Sequence, residues 1–134
     1  MEAGAAVVRT RTLAALREAT QNGLLPVICD ASSCSEGIAH LIQDDTQSPP
    51  LRVIDAVDFA AERILPLLPE HERIASLVIH PTCSSTRLGI NPALSSVAAA
   101  VADAVSILDD WGCCAFAGDR GMLHPELTAP ATWV

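Results

Sequence analysis

The stretch IASLVIHPTCSSTRLGINPALSSVAAAVADAVSIL, residues 74–108, decides the fold class. Its first part, IASLVIH, is an apolar run with β-branched residues, which predicts a buried strand over 74–80. INPALSSVAAAVADAV predicts a helix over 90–105, because Asn91 can cap it and Pro92 suits its first position. AVSILDD predicts another strand over 104–110. Two strands separated by a helix indicate parallel pairing.

The rest of the chain continues this alternation. Further strands are predicted over 24–30 and 51–57. Helices are predicted over 8–22, over 36–45 with Ser35 as its cap, and over 58–68. Pro125 can begin a further short helix. The prediction is therefore an α/β fold, a layered domain with a mainly parallel sheet of about four strands flanked by helices. Its length of 134 residues suits one domain, taken to span 1–134.

Composition excludes several function classes. The chain is 50% hydrophobic but only 3% aromatic, so its core must consist of Ala, Val, Leu and Ile. Its formal net charge is −8, and its basic residues form no cluster, which excludes nucleic acid as an expected partner. No apolar run reaches the roughly 18 residues that a membrane span needs, so no transmembrane segment is expected. The start of the chain interleaves charged and apolar residues, unlike a signal peptide.

Five cysteines, two of them adjacent, are the main chemical signal. An odd number makes a poor disulfide framework and indicates a reducing compartment, so a cytoplasmic location is expected. The cysteines lie where predicted strands end: Cys29 and Cys34 at the first, Cys83 after the third, Cys113 and Cys114 after the fourth. Ligands bind at the carboxyl ends of strands in open parallel sheets, so Cys83, Cys113 and Cys114 are expected in one neighbourhood.

The residues alone leave several interpretations open. Cys29, at the end of an apolar strand, can equally be a core residue. Thiolates are suitable ligands for an iron–sulfur cluster or for zinc. Alternatively, the adjacent Cys113 and Cys114 can cycle between a dithiol and a strained disulfide. A cysteine nucleophile with His80 as its base is a weaker third option. His80 also suits a structural role, and Asp119 and Arg120 suit a loop ion pair or a group that tunes a nearby cluster.

Two segments carry a resemblance to a known family. HPTCSSTRLG (80–89) and GCCAFAGDRGMLHPELTAPAT (112–132) resemble the cysteine-rich CCG region of FAD-linked oxidoreductases of the D-lactate dehydrogenase type. LPVICDASSCSEGI (25–38) is similar to the earlier cysteine segment of that module. Related cysteine-rich domains occur in the heterodisulfide reductase B subunit and in the C subunit of anaerobic glycerol-3-phosphate dehydrogenase.

The resemblance implies an electron-transfer domain of a larger flavoprotein that oxidises D-lactate or a similar 2-hydroxy acid. It implies that the five cysteines ligate or flank an iron–sulfur cluster: Cys29, Cys34, Cys83, Cys113 and Cys114. It also implies that the partners of this domain are the FAD domain and the ferredoxin-like clusters of the parent protein. A few polar side chains are expected to line the site. The lining residues are His80, Ser84, Asp119 and Arg120. Through such a parent the domain is expected in the cytoplasm or at the inner face of the membrane.

Two departures from the family pattern shape the expectations. Ala115 stands where the family has glycine, and its methyl group would be strained if that position needs a positive φ. Family members continue past the PELT segment to another cysteine motif, so this chain is expected to be an excised C-terminal fragment. The iron–sulfur cluster and catalytic turnover are then expected only in the full-length protein. The alternatives are a small zinc-binding module that uses His80, Cys83 and one of the adjacent cysteines, and a metal-free docking module.

Overall fold

The computed structural model describes residues 2–43, 45–108, 111–113, 115 and 119–131. In chain order the elements are α1 (Glu2–Ala19), β1 (Val27–Cys29), α2 (Ser32–Ile42), β2 (Val53–Asp55), α3 (Ala56–Phe59), β3 (Ile74–Ile79), α4 (Cys83–Leu88), α5 (Asn91–Val101), β4 (Ala102–Ile107), α6 (Asp119–Leu123) and α7 (Pro125–Thr128). Helix α3 continues as a π-helical segment, Ala60–Ile64, and a 3₁₀ turn, Leu65–Leu67.

The strands pair in parallel, which confirms the mixed α/β class. β1 lies beside β2 with Val27 opposite Val53, and β3 lies beside β4 with Ile79 opposite Ile107. The prediction of one four-stranded layered sheet is wrong for the described residues, where the strands form two separate two-stranded sheets.

Helix α3 begins directly where β2 ends. Asp55 ends β2 and caps α3, because its Oδ1 accepts a hydrogen bond from the Val57 amide at 3.0 Å. Helix α3 then contacts β1, β2 and α5. The two strand pairs are therefore linked through a helix and its side chains, and not by a shared ladder of backbone hydrogen bonds.

Several element boundaries differ from the sequence prediction for local reasons. Helix α2 begins at Ser32, so Ser35 is not its cap; its buried hydroxyl instead donates to Asp55 Oδ2 at 2.7 Å, which ties α2 to β2. Helix α5 ends at Val101 and β4 begins at the next residue, two positions before the predicted strand. Helix α1 extends back to Glu2.

Arg17 anchors the end of α1. Its side chain is buried and forms an ion pair with the equally buried Asp45. The guanidinium also donates to the backbone oxygens of Asn22 at 3.0 Å, Gln47 at 3.0 Å and Pro49 at 2.6 Å. One side chain thereby fixes α1 to the segment that leads into β2.

Few apolar side chains are buried in the part of the chain that the structure describes. They are Cys29, Leu51, Ile79, Ile90, Ala98 and Ala102. By contrast, Ile74 and Val78 of β3 are 52% and 61% exposed, and Val105 and Ile107 of β4 are also exposed. Parallel strands are usually covered on both faces, so this sheet is unusually open.

Candidate thiol site at the ends of β3 and β4

A capping box positions Cys83 just beyond β3. The Thr82 hydroxyl accepts a hydrogen bond from the Ser85 amide at 3.0 Å, and the Thr82 amide donates to Ser85 Oγ at 2.9 Å. These reciprocal bonds begin α4 at Cys83, and Gly89 ends the helix in the left-handed conformation, with φ of 73°. The Cys83 side chain is exposed at the start of this short helix.

The segment that follows β4 lies beside the segment that follows β3. The rings of His80 and Trp111 meet edge to face, with centroids 6.2 Å apart and planes at 83°. Cys83 follows His80 by three residues and Cys113 follows Trp111 by two. A hydrogen bond with the Cys83 side chain is the main cause that lowers the pKa of the Cys113 thiol, so the two cysteines are neighbours. Since β3 and β4 are parallel neighbours, their carboxyl ends bring both segments to one edge. We call Cys83 and Cys113 the thiol pair.

Two hydrogen bonds favour the thiolate form of Cys113. The Cys83 thiol has the larger effect, and the Ala115 amide donates to the Cys113 sulfur at 3.3 Å. Both bonds lower the pKa of the Cys113 thiol below its ordinary value, because they stabilise a negative charge on sulfur. Cys113 is exposed, so the more reactive thiolate is within reach of reagents in solution.

Ala115 adopts a strained backbone conformation beside this sulfur. Its φ is 55°, in the left-handed region where a Cβ is unfavourable. Its amide donates a hydrogen bond to the Cys113 sulfur. Glycine adopts a positive φ without the cost that a Cβ imposes, so alanine at this position is a source of strain.

The other predicted site residues lie in different surroundings. Cys29 is buried, and its thiol donates to the Ala31 oxygen at 3.6 Å, whereas Cys34 is exposed on α2. Ser84 is half-buried on α4, and Arg120 is exposed on α6. Asp119 begins α6, but its side chain lies outside the described set, as does all of Cys114. The predicted Asp119–Arg120 ion pair and the role of Cys114 therefore stay predictions.

The described residues do not supply a metal site. A structural zinc ion takes four protein ligands, and iron–sulfur clusters are held by several cysteine thiolates. Within the described ranges no three Cys, His, Asp or Glu side chains are grouped closely enough to hold a metal ion. Of the described residues, Cys83 and Cys113 are the thiols at this edge, and two thiols by themselves are fewer than either group needs.

Sequence reasoning missed three contributors to this site. They are the capping box at Thr82 and Ser85, the amide of Ala115, and the contact of His80 with Trp111. The capping box had a readable signal, since a hydroxyl residue stands at the N-cap of the helix and another three residues later inside its first turn. Trp111 also had one, because it lies two residues before Cys113 in the same segment.

A cavity of about 640 Å³ lies elsewhere, between the β1–β2 pair and the segment that follows α3. Its lining includes Pro26, Ile54 and Phe59 with the charged Arg52 and Arg63, and it contains no cysteine. No membrane-spanning candidate was found among the helices of the described ranges. Comparisons with protein-family models, with curated proteins and with solved structures find no match for this chain.

Proposed function

We propose that this chain is an electron-transfer domain of an FAD-linked oxidoreductase that oxidises D-lactate or a similar 2-hydroxy acid. The resemblance of segments 80–89 and 112–132 suggests the parent class. The observation that carries the proposal is that the segments after β3 and β4 lie side by side, which makes Cys83 and Cys113 neighbours. Two thiols in contact at a strand edge provide a redox centre made from this chain's own residues.

In this proposal the 2-hydroxy acid is oxidised on the flavin domain of the parent protein, and this chain takes up the electrons at sulfur. An iron–sulfur cluster would supply one-electron steps where further ligands complete it. The described residues provide only the thiol pair for such a group, so no step is assigned to a cluster. Exposure of Cys83 and Cys113 lets a donor domain approach both sulfurs.

A metal-free docking module is the second candidate. The observation that favours it is the open β3–β4 sheet, where Ile74, Val78, Val105 and Ile107 remain accessible. Exposed apolar groups on adjacent strands are typical of surfaces that meet another protein. In that case the thiol pair would have no part in electron transfer, and only binding would be measurable.

Electron uptake from reduced flavin separates the two candidates. The chain is oxidised with glutathione disulfide, desalted, and mixed without oxygen with chemically reduced FAD, whose reoxidation is followed at its visible absorption band. We expect reoxidation with the unchanged chain and with the control Cys34→Ser, and at least a tenfold slower rate with Cys83→Ser or Cys113→Ser. Equal rates in all four proteins would contradict the proposal and favour the docking module.

A further inference from the structure

We infer that Cys83 and Cys113 form a reversible intramolecular disulfide, with Cys113 as the attacking sulfur and Cys83 as the resolving one. The oxidant is a small disulfide of the glutathione type. The inference deepens the proposed function and shares its site. It does not require the flavin domain, because a dithiol that closes with glutathione disulfide does so in the isolated chain.

The contact geometry favours this pairing over one between neighbours in sequence. The Cα atoms of adjacent residues are about 3.8 Å apart, below the roughly 4.4–6.8 Å usual across a disulfide. A bond between Cys113 and Cys114 would therefore strain the chain. Cys83 and Cys113 instead come from two segments that the parallel strands and the His80–Trp111 ring contact bring together.

The two segments that carry the thiol pair lie side by side. β3 and β4 are parallel neighbours, so the residues that follow them leave the sheet at the same edge. The contact between His80 and Trp111 keeps the two segments alongside each other.

The reaction proceeds by two thiol–disulfide exchanges. The Cys113 thiolate attacks one sulfur of glutathione disulfide, which forms a mixed disulfide and releases one glutathione thiolate. Cys83 then loses its proton to solvent and attacks the Cys113 sulfur, which releases the second glutathione thiolate. Two protein thiols are oxidised, and one glutathione disulfide is reduced to two glutathione molecules. Cys113 takes the first step because it is exposed and accepts hydrogen bonds from Cys83 and Ala115.

Peptide mapping after glutathione equilibration tests the pairing. The chain is incubated without oxygen at a high ratio of oxidised to reduced glutathione, quenched with acid, alkylated and digested with trypsin. Cleavage at Arg73, Arg87 and Arg120 separates the peptide 74–87, which carries Cys83, from 88–120, which carries Cys113 and Cys114. A Cys114→Ser variant removes the ambiguity within the second peptide, and Cys34→Ser is the matched control.

We expect a monomer in which peptides 74–87 and 88–120 are linked, in the unchanged chain, in Cys114→Ser and in Cys34→Ser. The link is lost in Cys113→Ser, and Cys83→Ser stops at a glutathione adduct on Cys113. A bond within 88–120, links only between chains, or no link would each overturn the inference. If the link forms but reduced FAD does not reduce it, the inference holds and the proposed function fails.

Discussion

Replacing Ala115 with glycine should stabilise the chain. Ala115 has φ of 55°, and a left-handed conformation costs an L-residue roughly 1–2 kcal/mol. Glycine removes that cost but gives the unfolded chain more freedom, which offsets about 0.5–1 kcal/mol. The net expectation for Ala115→Gly is a gain of about 0.5–1 kcal/mol in the free energy of unfolding. For a chain of 134 residues this corresponds to about 2–4 °C in Tm.

Gly89 provides a matched control for this measurement. Its φ is 73°, and a Cβ built there meets no heavy atom within 4 Å, so Gly89→Ala tests backbone strain alone. We expect Gly89→Ala to lose about 1 kcal/mol, the reverse of Ala115→Gly. Thermal unfolding of both variants is followed by far-ultraviolet circular dichroism with a reductant present, so that no disulfide contributes.

The opposite signs of the two changes make the test decisive. If Gly89→Ala is destabilising while Ala115→Gly leaves Tm unchanged or lowers it, Ala115 is not held at positive φ in solution. The backbone strain assigned to Ala115 would then be refuted.

Three further outcomes follow from the structure. Alkylation of Cys113 by iodoacetamide should become fast at a lower pH than for an ordinary thiol, because the pKa of Cys113 is lowered. The variant Cys83→Ala should shift this pH dependence of the alkylation rate to higher pH. An unchanged pH dependence would argue against a hydrogen bond between Cys83 and Cys113. Arg17→Met should lower the free energy of unfolding by about 3 kcal/mol in urea, because it leaves the buried Asp45 unpaired; a loss under 1 kcal/mol would refute this. The Cys83–Cys113 disulfide closes a loop of about 30 residues and should add about 3.5 kcal/mol to stability in non-reducing urea, with no gain in Cys113→Ser.

Strand positions are predictable from this sequence, but their assembly into sheets is not. The apolar, β-branched runs around β1 (Val27–Cys29) and β3 (Ile74–Ile79) mark strands by local composition alone. Pairing depends on contacts far apart in the chain. Asp55 could be read as a strand residue, yet its side chain caps α3, and this helix contacts both strands of the first sheet. Nothing local to residues 51–57 distinguishes these outcomes.

Some features of the candidate thiol site can likewise be predicted from the sequence, and others cannot. Parallel strands end at one edge, so the meeting of Cys83 and Cys113 follows from their positions after strands. The hydrogen bond from the Ala115 amide does not, because it joins two residues of a segment that has no periodic sequence pattern. The buried role of Arg17 is equally hidden, since an arginine in an amphipathic helix usually faces solvent.

An anaerobic titration of the metal-free chain with reduced FAD tests whether the thiol pair itself carries electrons. The chain is treated with a chelator, its iron and zinc are shown to be absent, and the thiol pair is oxidised with glutathione disulfide. A dithiol–disulfide couple carries two electrons, so we predict that each chain consumes one reduced flavin and gains two titratable thiols at Cys83 and Cys113. If the metal-free chain consumes none, and uptake begins only after iron and sulfide are added, the thiol pair is not the electron carrier.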